Sequence, residues 1–155
     1  MKDKTIYKET DPPKTVPRPF HLSQSNNYRQ PTGFTNNIPG EEISYQRIDS
    51  LALFAQAVKL DVAAAEFKNN YRGKQNFLRS DVLVFDVDND GHDPDQWNDE
   101  GNWLTMDHFS HQFRHYEWMI ATSFNHQKQK NGRAPRDKFH VFMALDSWVE
   151  DIEEY

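Results

Sequence analysis

An apolar segment, DVLVF at residues 81–85, runs directly into the acidic stretch DVDNDGHDPD. Its β-branched and aromatic residues are typical of a buried β-strand. Residues 81–100 contain eight Asp or Glu and no Lys or Arg. Because side chains two apart in a strand point to the same face, we expect Asp86 and Asp88 to project side by side at the end of this strand. The fold therefore has to bring positive charge to that strand end.

Two neighbouring carboxylates at a strand end suit a hard divalent cation. Mg²⁺ in particular is commonly held by one or two protein carboxylates together with waters and phosphates. The sequence thus predicts that Asp86 and Asp88 bind Mg²⁺ or Mn²⁺. A solvated acidic turn is the alternative, and it accounts readily for the acids that come later, namely Asp93, Asp95 and Asp99.

Two other motifs share these residues. The pattern from Asp86 to Gly91 matches the first half of a calcium-binding EF-hand loop, but Trp97 stands where that loop needs a bidentate Glu. A haloacid dehalogenase phosphatase also begins with a strand ending in D-x-D. However, Asn89 stands where such enzymes usually have Thr, and too little chain follows Asp86 for their sheet. Both interpretations are therefore less favoured than a Mg²⁺ or Mn²⁺ site.

A second charged segment, TSFNHQKQKNGRAPRDKFH, is basic. Between Ser123 and His140 it carries five Lys or Arg and a single acid. An acidic metal site beside a basic hairpin is the charge layout expected for a polyphosphate ligand, whose metal meets the carboxylates while cations neutralise the other oxygens. His126 and His140 flank the basic turn, and we expect them to contact a phosphate or the attacking group. A solvated basic loop is the alternative.

The remaining patterns indicate an α+β domain. Helices are expected from Asp49 or Ser50 onward, with a break near Asp61 or as two short helices, and from 105 to 117 with Thr105 as the N-cap. The three histidines of the second helix are expected on an exposed polar face rather than around zinc: His108, His111 and His115. Strands are expected at 117–123 and 138–145, and a C-terminal helix is expected after the capping-box pair Ser147 and Glu150.

Composition limits the other possibilities. Leu, Ile, Val and Phe make up only 33 of 155 residues, so the core should be small and aromatic-rich. Six of the eight prolines fall within 12–39, so we predict a loosely structured arm over 1–46 and one domain over 47–155. Cysteine is absent, which excludes disulfides and thiolate chemistry. No signal-peptide or membrane-spanning pattern is present, and a cytoplasmic protein is expected.

Taken together, LVFDVDND, a helix, TSFNH, a basic turn and KFHVF resemble the archaeo-eukaryotic primase superfamily, in particular the primases of phages, plasmids and other mobile elements. The resemblance covers roughly residues 50–155. It implies an RRM-like βαββ element of a primase catalytic core, preceded by helices. It also implies a DNA-directed nucleotidyltransferase that makes primers on template DNA from nucleoside triphosphates, with a helicase domain or replication protein as a further partner.

The resemblance also implies roles for individual residues. Asp86 and Asp88 would hold the divalent metal, and His140 would act with them in catalysis. The hairpin would bind the triphosphate through a set of polar and basic residues, namely Ser123, Asn125, His126, Lys128 and Lys130.

The third motif of that superfamily, a further metal-binding acid on a later strand, has no match among the acids after His140. Three explanations remain open. The acid lies beyond Tyr155 in a longer protein, as the abrupt end of the apolar pattern suggests, or Asp90 substitutes for it. The third is that the chain is a non-catalytic nucleic-acid or metal-binding remnant. A calcium-binding module is a weaker alternative.

Overall fold

The computed structural model describes residues 6–8, 18–24, 45–68, 72–90, 100–129 and 132–155, with only the backbone given for 6–8 and for Glu100. Within them the chain is α+β, with two antiparallel sheets and few helices. The helices are α1 (Leu51–Ala57) and α2 (Met106–Gln112). The strands are β1 (Ile6–Lys8), β2 (Phe20–Gln24), β3 (Tyr45–Ile48), β4 (Val62–Ala63), β5 (Glu66–Phe67), β6 (Phe77–Val87), β7 (Trp118–Thr122) and β8 (Phe139–Val149).

The strands form a five-stranded sheet of order β1-β7-β8-β6-β5 and a three-stranded sheet of order β3-β2-β4. β1 pairs antiparallel with β7, placing Ile6 opposite Ala121, and β5 pairs antiparallel with β6. In chain order, β6, α2, β7 and β8 give strand, helix, strand, strand, with β8 lying between β7 and β6. No helix within the described residues is both long and apolar enough to cross a membrane.

The chain divides into two compact units. The first comprises Met1–Pro12 and Val84–Phe142, and the second comprises Pro13–Leu83 and Met143–Tyr155. Buried side chains of the first unit come from α2, β7 and the start of β8, and include Phe109, Trp118, Ile120, Phe139 and Val141. Those of the second unit come from β2, β3, α1 and β6, and include Phe20, Leu22, Ile48, Phe54 and Val82. The expectation of an aromatic-rich core fits both sets.

Parts of the predicted arm form strands. β1 and β2 lie within residues 1–46, where the sequence predicted little regular structure. β2 pairs antiparallel with β3 and β4, and its Phe20 and Leu22 are fully buried, so this segment adds apolar area to the second unit. The rest of the predicted arm lies outside the described residues, and the division of the chain at residue 46 stays a prediction.

The Ala-rich segment after Ser50 is helical only at its start. Ser50 caps α1 by accepting a hydrogen bond from the Leu53 N–H at 3.3 Å, as predicted. The prediction of helix beyond Ala57 is wrong, because β4 and β5 occupy that region. There the Ser23 hydroxyl donates to the Ala65 carbonyl at 2.6 Å, and pairing with β2 and β6 overrides the helical preference of alanine.

The elements around the acidic stretch agree with the sequence patterns. β6 contains the predicted strand 81–85 and extends it in both directions. α2 begins after Thr105, whose hydroxyl accepts from the His108 N–H at 3.1 Å, but it ends at Gln112, before the predicted end at 117. β7 and β8 confirm the two predicted strands that follow. These four elements position the candidate site at the end of β6.

The predicted C-terminal helix is wrong. β8 continues to Val149 and only a turn follows it. The Trp148 ring packs at 5.2 Å from the His21 ring, and the Arg79 guanidinium lies 4.3 Å from the centre of the Trp148 ring. These tertiary contacts stabilise the extended backbone where the capping-box pattern suggested a helix.

Candidate functional site

Acidic side chains lie at the end of β6 and just beyond it, and basic side chains lie at the start of β8 and just before it. The acids stand at positions 86, 88 and 90, and the bases at positions 136, 138 and 140. They pair in reverse order, so that the first acid meets the last base. We call this set the charge ladder, and its members are Asp86, Asp88, Asp90, Arg136, Lys138 and His140. Opposite charges across neighbouring strands stabilise a sheet.

The outermost pair of the charge ladder joins two residues predicted to be catalytic. Asp86 Oδ1 lies 3.2 Å from His140 Nε2. This hydrogen bond holds the pKa of Asp86 below its usual value, against the opposing effect of desolvation, and the Lys138 ammonium acts in the same direction. Asp86 is thus paired with His140 in the same way that Asp88 is paired with Lys138.

Lys138 occupies the middle of the charge ladder. Its ammonium lies 2.9 Å from Asp88 Oδ1 and 3.1 Å from Asp90 Oδ2, while its side chain is only 7% exposed. A buried ammonium is costly unless it is paired, and both of these carboxylates pair with it. Lys138 thus fixes the spacing of the acids that follow β6.

Asp90 is the most heavily paired acid of the charge ladder. Its Oδ1 meets Arg136, which is almost fully buried, and lies 3.2 Å from Arg133, while its Oδ2 meets Lys138. Arg136 also donates to the Asp88 carbonyl at 3.3 Å. Both carboxylate oxygens of Asp90 are therefore engaged by cations, which weakens the hypothesis that Asp90 serves as a third metal ligand.

Asn89 ties the acidic loop to two distant parts of the first unit. Its amide nitrogen donates to the Leu104 carbonyl at 2.9 Å and to the Asp137 carbonyl at 2.8 Å. Its amide oxygen accepts from the Leu104 N–H at 2.8 Å. Asn89 has φ 51°, a left-handed conformation that Asn tolerates better than most residues. This residue therefore sets the path of the backbone between Asp88 and Asp90.

The donor atoms at Asp86 and Asp88 fit a hard divalent cation. Each carboxylate has one oxygen in the charge ladder, and its other oxygen has no partner among the described residues. The side chains are 61% and 50% exposed, so an ion could reach these oxygens from solvent. No cluster of three or more acids, histidines or cysteines arranged for a metal occurs in the described part of the chain. Two carboxylates would leave the other ligand positions to waters and phosphates.

The residues of the TSFNH motif form the turn that follows β7. The Ser123 hydroxyl accepts from the Asn125 N–H at 3.2 Å, and the Ser123 N–H donates to the Lys138 carbonyl at 2.8 Å. His126 Nδ1 accepts from the Lys138 N–H at 3.2 Å. The motif thus holds Lys138 in place, and triphosphate binding by Ser123, Asn125 and His126 stays a prediction.

Of the two lysines predicted to neutralise phosphate, Lys128 lies over the Phe124 ring, with its Nζ 3.3 Å from the ring centre, and donates to the Phe124 carbonyl. Lys130 lies outside the described residues.

No protein-family model, curated protein or solved structure matches this chain. The primase resemblance therefore rests on the motifs alone, and the chemistry of the site has to be argued from its own residues.

Sequence reasoning found Asp86, Asp88 and His140 but missed the roles of Lys138, Arg136 and Asn89. The signal for the first two was present, because the bases at 136, 138 and 140 share the two-residue period of the acids. Asn89 could not be found in this way, since its partners are backbone groups remote in sequence. The three histidines that were expected on a polar face are exposed, which favours that interpretation over a zinc site. They are His108, His111 and His115.

Proposed function

We propose that this chain carries a metal-dependent nucleotidyl-transfer site of primase type, which synthesises primers on a DNA template from nucleoside triphosphates. The observation that carries the proposal is the pair of neighbouring carboxylates, Asp86 against His140 and Asp88 against Lys138, with an open oxygen on each. The order of β6, α2, β7 and β8 supports it, since it is the order expected for an RRM-like βαββ element. The replication partners follow from the resemblance alone.

The residues of the site suit the chemistry of phosphoryl transfer. A bound Mg²⁺ or Mn²⁺ would neutralise charge on the triphosphate and lower the pKa of the attacking 3′-hydroxyl. Asp86 and Asp88 would hold that ion. The imidazole of His140 orients the Asp86 carboxylate through the 3.2 Å contact, and it lies near enough to donate to a phosphate oxygen. Lys138 supplies fixed positive charge beside the carboxylates.

A non-catalytic binding module is the second candidate. Two of the three carboxylates of the charge ladder, Asp88 and Asp90, pair with permanent cations, namely Arg133, Arg136 and Lys138, while Asp86 pairs with His140. The three cations equal the three carboxylates in number, so the described cluster needs no metal for charge balance. Such a module would bind DNA through the basic connection, with affinity that falls steeply with salt, but it would not incorporate nucleotides. A calcium module is less favoured, because the three cations occupy Asp90, which would be a loop ligand.

The test is a thermal-shift titration followed by an incorporation assay. We expect Mn²⁺ or Mg²⁺ with a nucleoside triphosphate to stabilise the wild-type chain more than either component alone, and Asp86→Asn to abolish the extra shift. Asp107→Asn removes an acid of α2 outside the charge ladder and serves as the control. Labelled nucleotide should be incorporated on a primed DNA template by the wild-type chain and by Asp107→Asn only.

The outcomes separate the candidates. Incorporation that survives in an Asp86→Asn, Asp88→Asn double variant would refute the assigned site. DNA binding without any incorporation would favour the non-catalytic module. Stabilisation by calcium far above that by magnesium would favour the calcium module.

A further inference from the structure

Lys138 lies against the carboxylate that a metal ion at Asp88 would use. The ammonium lies 2.9 Å from Asp88 Oδ1, and it is the only side-chain partner that the described residues give to this carboxylate. Asp90, by contrast, keeps Arg133 and Arg136 if Lys138 leaves it. Asp88 is therefore the acid whose availability depends on Lys138.

A divalent ion and the Lys138 ammonium would compete for the same carboxylate. Their like charges would lie close together in a setting where the lysine side chain is only 7% exposed, so solvent screens the repulsion poorly. The ammonium also needs an anionic partner, because a buried and unpaired charge is strongly unfavourable. A free ion on Asp88 repels Lys138 and brings no negative charge with it, so that only the Asp90 carboxylate, among the described residues, still offsets the ammonium.

A triphosphate changes this balance. Its non-bridging oxygens carry the negative charge that a displaced ammonium requires, and a metal–triphosphate complex brings them together with the ion. Lys138 suits such an exchange, since a lysine is a point charge on a flexible stem. Arg136 does not, because three separate groups hold its guanidinium: the Asp88 carbonyl, the Ala134 carbonyl and the Asp90 carboxylate.

We infer that Lys138 makes this site selective for the metal–triphosphate complex over the free metal ion, because its ammonium repels an ion at Asp88 until phosphate oxygens offset that repulsion. The inference rests on the proposed function and adds to it the form in which the substrate binds. Lys138 therefore opposes binding of the metal alone and supports binding of the metal with nucleotide. A residue with a merely structural role would affect both in the same direction.

The experiment measures two dissociation constants for each variant. The first is that of Mn²⁺ alone, from the electron paramagnetic resonance signal of the free ion. The second is that of a non-hydrolysable nucleoside triphosphate analogue at saturating Mn²⁺, by calorimetry. We expect Lys138→Met to bind Mn²⁺ alone about tenfold more tightly and the Mn²⁺–analogue complex about tenfold more weakly, which is within the usual range of coupling between two ligands.

Two further variants make the result interpretable. Lys59→Met removes an exposed lysine elsewhere in the chain and controls for net charge, so both constants should stay at their wild-type values. Lys138→Gln keeps a hydrogen-bond donor toward Asp88 and Asp90 but no charge, so it should fold even if Lys138→Met does not. We expect Lys138→Gln to change the two constants in the same opposite directions as Lys138→Met.

Each outcome has a defined meaning. Opposite changes in the two constants support the inference. Three results would overturn it while leaving the proposed function in place. They are weaker binding of both Mn²⁺ and the analogue, no change in either dissociation constant, and tighter Mn²⁺ binding with unchanged analogue binding. Failure of the wild-type chain to bind the analogue with Mn²⁺ would instead refute the proposed function itself.

Discussion

Replacement of Asn89 by alanine tests how the acidic loop is held. The substitution removes three hydrogen bonds of 2.8 to 2.9 Å and leaves the Leu104 N–H and the carbonyls of Leu104 and Asp137 without them. Neutral hydrogen bonds contribute about 0.5–1.5 kcal/mol each. Water can reach part of this half-buried site, so we expect the hydrogen bonds to account for about 2–3 kcal/mol of unfolding free energy.

Backbone conformation adds a second, separable contribution. At φ 51°, the left-handed backbone conformation costs alanine about 1 kcal/mol of folding free energy, a cost that glycine does not have. We therefore expect Asn89→Ala to be less stable than Asn89→Gly, and both to be less stable than the wild type. Urea unfolding followed by tryptophan fluorescence gives the three free energies. An Asn89→Ala variant within about 0.5 kcal/mol of the wild type would refute the anchoring role, since changes of that size are usual at surface sites without a structural role.

Three other substitutions test individual features of the fold. The Tyr45 hydroxyl is buried without a hydrogen-bond partner among the described residues, so Tyr45→Phe should match or exceed wild-type stability by up to about 1 kcal/mol in urea unfolding. Burial raises the pKa of Tyr45, so above about pH 10 the unfolded state loses the phenol proton first and the stability of the wild type falls. Tyr45→Phe should therefore lose less stability than the wild type in alkaline melts. His140 lowers the pKa of Asp86 in the folded state, so ionised Asp86 stabilises the fold at pH values above its unfolded-state pKa. In melts at successively lower pH, the stability difference between the wild type and Asp86→Asn should shrink as the pH falls through the folded-state pKa of Asp86. Thr105→Ala removes the hydroxyl that accepts from the His108 N–H and should cost about 1 kcal/mol in thermal melts followed by circular dichroism, whereas Thr105→Ser should cost little.

Local signals predicted the elements around the site well. β6 follows from its β-branched and aromatic run, and α2 begins after Thr105 because its hydroxyl can satisfy an end of the helix backbone. The errors occur where distant contacts decide the structure. Ser147 and Glu150 resemble a capping box, yet the packing of Trp148 holds that segment extended, and its partners are far away in sequence.

The sequence also predicted only part of the candidate site. The sequence showed that the acidic and basic segments needed each other, and the structure pairs the end of β6 with the start of β8. It did not show which cations make the pairs. The sequence pointed to Lys128 and Lys130, but the register of the segment that leads into β8 brings Lys138 between Asp88 and Asp90. Register depends on pairing across the sheet, which a charge count does not contain.

The three acids of the charge ladder differ in how many of their carboxylate oxygens are paired. Cations engage both oxygens of Asp90, while Asp86 and Asp88 each keep one oxygen without a partner in the described structure. A ladder serving stability alone would gain most from full pairing of every acid, because an unpaired carboxylate oxygen adds no cross-strand attraction. The sheet instead uses Asp90 to anchor the basic segment and leaves the other two carboxylates accessible. That division is what a site for an incoming cation requires, since the anchor keeps the ligands in place when their own pairs are exchanged.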